Sequence, residues 1–229
     1  MGNSLPGRVV KSERRILVVG LDNAGKTSIL RGSAQAMMPL RLLADVMGAD
    51  YIAPTPTMET LGFRRFNRDW VVNDMSGQGR YRSYWSYWLA SSHALIFVVD
   101  CLDSARAGAA REELHTMVEQ LAKAGKLGAA RGEAAAGGRK RGGKRKLFPV
   151  LIFANKVDGK DHAGTTSGQS PGAPRLQDVA AQALQVEMLQ AKYAVKIKVQ
   201  KSNGLTGRGV LEGFQWIDEQ LLKFKAVSS

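Results

Sequence analysis

Cysteine occurs once in the 229 residues, at Cys101, so no disulfide can close within the chain and a cystine-stapled scaffold is excluded. Long apolar runs are missing too. The longest, Ala94 to Val99 and Leu147 to Ala154 with Pro149 inside it, fall well short of the ~20 residues of a membrane-spanning helix. The stretch up to Gly20 holds no apolar segment of signal-peptide length followed by a small-residue cleavage site. Together these absences predict a reducing, cytoplasmic-side location. Histidine is scarce, and His93, His115 and His162 lack ligand spacing, so they are expected to be structural or surface residues. Acidic residues are outnumbered 20 to 33 by lysine and arginine, giving a formal charge of +13 that at face value calls for nucleic acid or an anionic membrane. The apolar fraction of 44% and the lack of a collagen-like period among the 25 glycines leave a globular core as the expectation, and the length suits one well-buried domain or two cramped ones.

Most of that charge has one address. Between Lys123 and Lys146 lie nine basic residues against the single Glu133, set in glycine and alanine with no apolar period. Such a stretch buries too little surface to offset the entropy of ordering it and reads as a disordered loop. Gly159 to Pro174, rich in Gly, Ser, Thr and Pro, reads as a second irregular loop.

Elsewhere strands and helices alternate. Arg15 to Gly20 is a short β-branched run leading into a helix from Lys26 that Pro39 ends. Thr57 to Phe66 and Trp70 to Asn73 read as a hairpin, followed by a helical stretch near Tyr81 to Ala90 and a buried strand at Ala94 to Asp100. A helix from Ser104 to about Ala124, a strand at Phe148 to Ala154, a helix at about Leu176 to Leu189 and a strand at Val195 to Val199 follow. A last helix from about Gly209 sets Leu211, Phe214, Ile217, Leu221 and Phe224 on one stripe. The alternation predicts an α/β fold: a six-stranded, mostly parallel sheet with helices on both faces.

Gly20-Leu21-Asp22-Asn23-Ala24-Gly25-Lys26-Thr27 fits G-x-x-x-x-G-K-[ST] between a strand and a helix, the context this phosphate-binding P-loop requires. The terminal glycines let the loop wrap so that the N–H groups from Asp22 to Ser28 point at phosphate oxygens, aided by the positive end of the helix. Lys26 would reach the β and γ phosphates, and the Thr27 hydroxyl would ligate Mg²⁺. Asn155-Lys156-Val157-Asp158 sits at a strand end, where open parallel sheets place ligand-binding residues. The Asp158 carboxylate can accept from N1–H and the 2-amino group of guanine, a donor pair that adenine lacks. Lys156 can lie along the ring face, and Asn155 can tie loops together. In Asp74-Met75-Ser76-Gly77-Gln78, Asp74 would hold a Mg²⁺-bound water, the Gly77 N–H would meet the γ phosphate, and Gln78 would orient the attacking water. No arginine in these motifs is an obvious internal finger, so slow intrinsic turnover, speeded by a partner, is expected.

The chain resembles an Arf-like small GTPase, nearest to the Bardet-Biedl and ciliary Arf-like subtype. The likeness rests on the P-loop, on Asp74 to Arg82, on Ala94 to Asp100, Arg111 to Leu114 and Phe153 to Lys156, and on Gly209 to Trp216. It implies one small-GTPase domain over 15–229 after an N-terminal extension at 1–14, enlarged by irregular insertions near 32–50, 123–146 and 159–174. It also implies GTP and GDP as ligands with Mg²⁺, and two switch segments that gather on the γ phosphate and recruit an effector. For this subtype the effector is a membrane coat at the base of a cilium or flagellum, with an exchange factor and a GTPase-activating protein as regulators. Thr55 takes the place of the switch I Mg²⁺ ligand, with Thr57 as a competing register, and the Lys201 backbone N–H the place that meets the guanine carbonyl.

The sequence also departs from that family. The interval from Thr27 to Thr55 is longer than usual, Thr57-Met58 replaces Gly-Phe, Asn73 replaces an aromatic residue, and Gln200-Lys201-Ser202 replaces a small-residue motif. Gly2 could be acylated, but the acylation pattern wants Ser or Thr where Pro6 stands. The basic loop offers another route to peripheral membrane contact. Tyr84, Trp85, Tyr87 and Trp88 are expected to pack beside the switches rather than stack nucleobases. Two other readings stay open: a nucleotide-binding scaffold with negligible hydrolysis, and a nucleic-acid module built on the basic loop, although nucleic acid is not the expected partner.

Overall fold

The apolar run after Arg15 forms the middle of a sheet. β1 (Arg14–Val19) pairs in parallel with β3 (Arg68–Met75) on one side and with β4 (Ala94–Asp100) on the other. β5 (Phe148–Asn155) and β6 (Val195–Lys201) extend the parallel part, and β2 (Met58–Arg65) closes the far edge antiparallel to β3. The strand order is β2-β3-β1-β4-β5-β6. The computed structural model describes residues 13–37, 57–66, 68–127, 147–157 and 176–225.

Parallel strands covered on both faces need apolar residues at successive positions, and β1, β4 and β5 supply them. Leu17, Val19, Leu95, Phe97 and Ile152 join Leu114, Met117, Val118 and Leu121 of α3 (Ala107–Lys123) in one core layer. Ile16, Val18, Ile96, Leu151 and Phe153 point the other way. They pack on Ile29 and Leu30 of α1 (Lys26–Met37) and on Phe214, Ile217 and Leu221 of α6 (Val210–Lys225). The expected stripe of α6 is therefore its buried face, although the Phe224 side chain lies outside the described part. Trp70 anchors the hairpin there, stacked on Phe63 at 5.9 Å and edge-on to Phe214 at 5.8 Å.

Several expected boundaries move. β3 runs on to Met75 because its ladder with β1, from Arg14↔Trp70 to Val18↔Asp74, continues past the apolar residues. The stretch after Gln78 is a 3-10 turn, Gly79–Tyr84, leading into the short α2 (Trp85–Leu89); Trp85 is buried while Tyr84 and Tyr87 are exposed. Asp103, not Ser104, caps the turn before α3 by accepting from the Arg106 N–H. The single helix expected at Leu176 to Leu189 is two, α4 (Leu176–Ala183) and α5 (Val186–Lys192), broken at Gln185 in the left-handed region (φ 52°). That break lets Leu184, Val186 and Leu189 all reach the core. Residues 32–37, at the start of the stretch expected to be irregular, continue α1. Residues 38–50, 128–146 and 159–174 lie outside the described part, as do Gly2, Thr55, Asp158 and His162. Among the described residues no helix is long and apolar enough to cross a membrane.

Candidate nucleotide-binding site

The loop between β1 and α1 is built from backbone that side chains resist. Gly20 has φ 147° and Gly25 φ 90°; a Cβ would strike the Val98 carbonyl at the first and the Asn155 amide at the second. Asn23 between them has φ 60°, a conformation that asparagine tolerates better than most residues. Left-handed residues among ordinary ones turn neighbouring N–H groups to one side, the arrangement of an anion nest, and α1 begins directly behind it.

Lys26 is only 6% exposed, and its ammonium donates to the carbonyls of Gly20 at 3.0 Å and Leu21 at 2.9 Å, closing the loop on itself. Burial pushes its pKa down to about 8, although Asp74 and Asp22 pull it upward. Both hydrogen bonds end on neutral carbonyls, so the charge itself is left for an anion to match. Next along the helix, the Thr27 hydroxyl donates to Asp74 Oδ2 at 2.7 Å, with Asp74 fully buried at the end of β3. A hydroxyl and a carboxylate side by side are hard oxygen donors, the set that Mg²⁺ takes. The residues present thus fit both a phosphate chain and its metal. Ser28, in the first turn of α1, lies against Gly204.

Gly77 closes this end. A Cβ on it would overlap the backbone of Leu21 and Asp22, and its carbonyl accepts from the Asp22 N–H at 3.1 Å. Arg82 donates from Nε to that same carbonyl at 2.9 Å, and from its other nitrogens to Asp22 at 3.3 Å and Glu113 at 3.0 Å. Arg106 holds Asp22 from the opposite side, with 3.1 Å to the carboxylate and 3.2 Å to the carbonyl, while Asp103 orients it at 2.6 Å. The Gln78 carboxamide accepts two bonds from Arg80, at 3.1 and 3.2 Å.

Asn155 joins the other half. Its Nδ2 donates to the Ala24 carbonyl at 2.9 Å, and its Oδ1 accepts from Gly204 N at 2.9 Å and Ser202 Oγ at 3.3 Å. Lys156, left-handed at φ 65°, sets its ammonium 2.8 Å from Asp100 at the end of β4. Lys201 ends β6 opposite Ala154.

Asp22, Asn23, Ala24, Gly25, Lys26, Thr27, Ser28, Asp74, Gly77, Asn155 and Lys156 therefore lie together at the carboxyl ends of the parallel strands, with Lys201 beside them. Sequence reasoning missed Arg82, Arg106, Glu113, Asp100, Ser202 and Gly204. Asp100 could have been found, since it ends a buried strand where open sheets bind ligands. For the arginines no local pattern existed.

The profile of the ADP-ribosylation factor family matches residues 4–127. ADP-ribosylation factor-like protein 6 of Danio rerio is 29% identical over 218 residues, spanning 94% of this chain and 92% of its own length. ADP-ribosylation factor 1 of Brassica rapa subsp. pekinensis is 32% identical over 214 residues, 91% of this chain and 88% of its own. Among solved structures, the Arl6 BBS3 small GTPase from Trypanosoma brucei with the bound nucleotide analogue GppNp gives a TM-score of 0.64 at 27% identity, covering 93% of this chain and 99% of that one.

Proposed function

The chain belongs to the ADP-ribosylation factor family, and from that premise we propose that it is a regulatory switch whose GTP state recruits an effector, a membrane coat serving ciliary or vesicular trafficking. It is a GTP-binding protein that takes GTP or GDP with Mg²⁺ and hydrolyses GTP slowly. The observation that carries the reading to residues is a buried Lys26 closing the loop beside the Thr27–Asp74 pair, with the loop tied by Asn155 to the strand end that bears Lys156. The bound metal supplies neutralisation of phosphate charge; everything else falls to side chains and backbone of this chain.

In this reading the loop N–H groups that follow Asp22, whose own N–H goes to the Gly77 carbonyl, cradle the phosphates up to Ser28, and Lys26 matches their charge. Thr27 and Thr55 ligate Mg²⁺ directly, and Asp74 holds one of its waters. The Gly77 N–H faces the terminal phosphate, and Gln78 turns from Arg80 to orient the attacking water. Asp158 selects guanine, with Lys156 along the ring and the Lys201 N–H at its carbonyl. An exchange factor and a GTPase-activating protein set the cycle. Peripheral membrane contact, through an acylated Gly2 or the basic stretch Lys123 to Lys146, places it at the base of a cilium or flagellum. Likeness to ADP-ribosylation factor-like protein 6 and to the Arl6 BBS3 small GTPase supports the Arf-like subtype on which that last step rests.

Single-turnover hydrolysis of GTP is the test. Gln78→Leu is expected to slow it roughly a hundredfold in the presence of cell extract, and Asp158→Asn to move preference from GTP towards XTP. Equal rates for wild type and Gln78→Leu, with and without extract, would sink the cycling reading. A pull-down with GTP-analogue-loaded and GDP-loaded protein then asks whether a partner is state-dependent.

A further inference from the structure

Two arginines far apart in sequence meet the phosphate loop at Asp22, and they do different things there. Arg106 grips Asp22 by both its carboxylate and its carbonyl. Arg82 touches Asp22 more distantly, at 3.3 Å, and gives its shortest bond, 2.9 Å, to the carbonyl of Gly77. That carbonyl also receives the Asp22 N–H at 3.1 Å, so two donors fix it from two directions. A peptide unit is planar, so fixing the Gly77 carbonyl also fixes the N–H of Gln78 on the same plane. The Gln78 N–H itself reaches Ser76 Oγ at 3.4 Å, too long to set that plane alone.

The guanidinium itself is held on three sides. Its side chain is 21% exposed, and Glu113, which accepts from it at 3.0 Å, projects from α3, whose Leu114, Met117 and Val118 are locked in the core. Arg82 therefore runs from a rigid helix to a loop carbonyl, a connection that needs the fork of a guanidinium and that a lysine ammonium cannot span. Because Arg106 keeps Asp22 in place independently, loss of Arg82 removes the shorter of the two bonds on the Gly77 carbonyl and leaves the Gly77–Gln78 peptide held by the Asp22 N–H alone, without collapsing the phosphate loop.

We propose that Arg82, oriented by Glu113, is a positioning residue that sets the Gly77–Gln78 peptide for the terminal phosphate and so distinguishes the triphosphate from the diphosphate. It rests on the function proposed above, because it assumes that the groups flanking this peptide, the Gly77 N–H on one side and the Gln78 side chain on the other, face that phosphate and its attacking water. GDP has no group at this place, so only the triphosphate state depends on the peptide's orientation.

The test compares wild type, Arg82→Ala, Arg82→Lys and Glu113→Gln. Affinity is measured for GDP and for a non-hydrolysable GTP analogue, together with single-turnover hydrolysis and amide hydrogen exchange across residues 76–79 without nucleotide. Arg82→Ala is expected to lose roughly tenfold in analogue affinity and in hydrolysis rate, with GDP affinity within about twofold of wild type and faster exchange at Gln78. Arg82→Lys should fail to rescue, and Glu113→Gln should fall between. Equal weakening of GDP and the analogue with a lowered melting temperature would make Arg82 merely structural and overturn the proposal, as would unchanged exchange and unchanged analogue affinity. Failure of the wild type to bind guanine nucleotides would instead overturn the function on which it rests.

Discussion

The parallel strands carry a charged cluster at each end, and the two are bonded differently. At the carboxyl ends, Arg82 and Arg106 tie the loops at Asp22 and Gly77 to Asp103 and to Glu113 of α3, with bonds of 2.6 to 3.3 Å. At the amino ends, Arg14 of β1 and Arg68 of β3 share Asp218 of α6 at 3.9 and 3.2 Å, and Arg14 Nε and Nη2 are buried without a hydrogen bond. Burial holds the Asp218 carboxyl above its ordinary range even with two arginines beside it, and burial likewise lowers Arg14. One cluster buys geometry; the other merely keeps the buried Arg14 and the partly exposed Arg68 from facing each other alone. Charge near a sheet therefore says little until its partners are counted.

The widest separation between the two ends should appear in nucleotide affinity. Lys26→Ala is expected to weaken GTP and GDP binding by about 4 kcal/mol, near a thousandfold, by isothermal titration. Arg14→Met, at the opposite end, should leave that affinity unchanged; a comparable loss there would erase the contrast. Stability reverses the picture. Asp218→Ala strands the buried Arg14 together with the partly exposed Arg68 and should cost about 3 kcal/mol in urea unfolding, whereas Arg14→Met removes an ill-bonded charge and should stay within about 1 kcal/mol of wild type in either direction. A large loss in Arg14→Met would show that the amino-end cluster is better bonded than its distances indicate.

The smallest effect is a fraction of a proton. Lys26 sits near 8 in the bare loop against an ordinary 10.5, so its ammonium is partly deprotonated above that value. Phosphate charge raises the pKa again, so nucleotide binding should take up protons at about pH 8.5 and none at about pH 6.5, read from titrations in buffers of different ionisation enthalpy. The same shift has a stability sign. Between about 8 and 10.5 the unfolded chain holds more protons than the folded one, so Lys26 makes the nucleotide-free protein more stable as pH rises through that window.

How much of this was legible depended on how local its cause is. The phosphate loop could be read because Gly20 and Gly25 answer to backbone conformations that few other residues adopt. The sheet could be read because β1, β4 and β5 are apolar on both faces. The break at Gln185 could not, since nothing about a glutamine announces a left-handed residue, and only the burial of Leu184, Val186 and Leu189 explains it. Arg82 and Arg106 reach Asp22 across 60 and 84 residues, and partly exposed polar side chains leave no periodic trace of such pairings. The split of the Ser104 helix signal between a 3-10 turn and α3 was hidden likewise, because Asp103 competes for the cap one residue earlier.

Asn155 has a consequence for timing. One carboxamide touches the phosphate loop at Ala24 and the loop after β6 at Ser202 and Gly204, and its own backbone opens the segment proposed to read the base. The two ends of the nucleotide site proposed above thus share a linchpin. On the proposed function, loosening either end is expected to strain the contact that steadies the other, so that release would be concerted and a regulator acting at one end would empty the whole site.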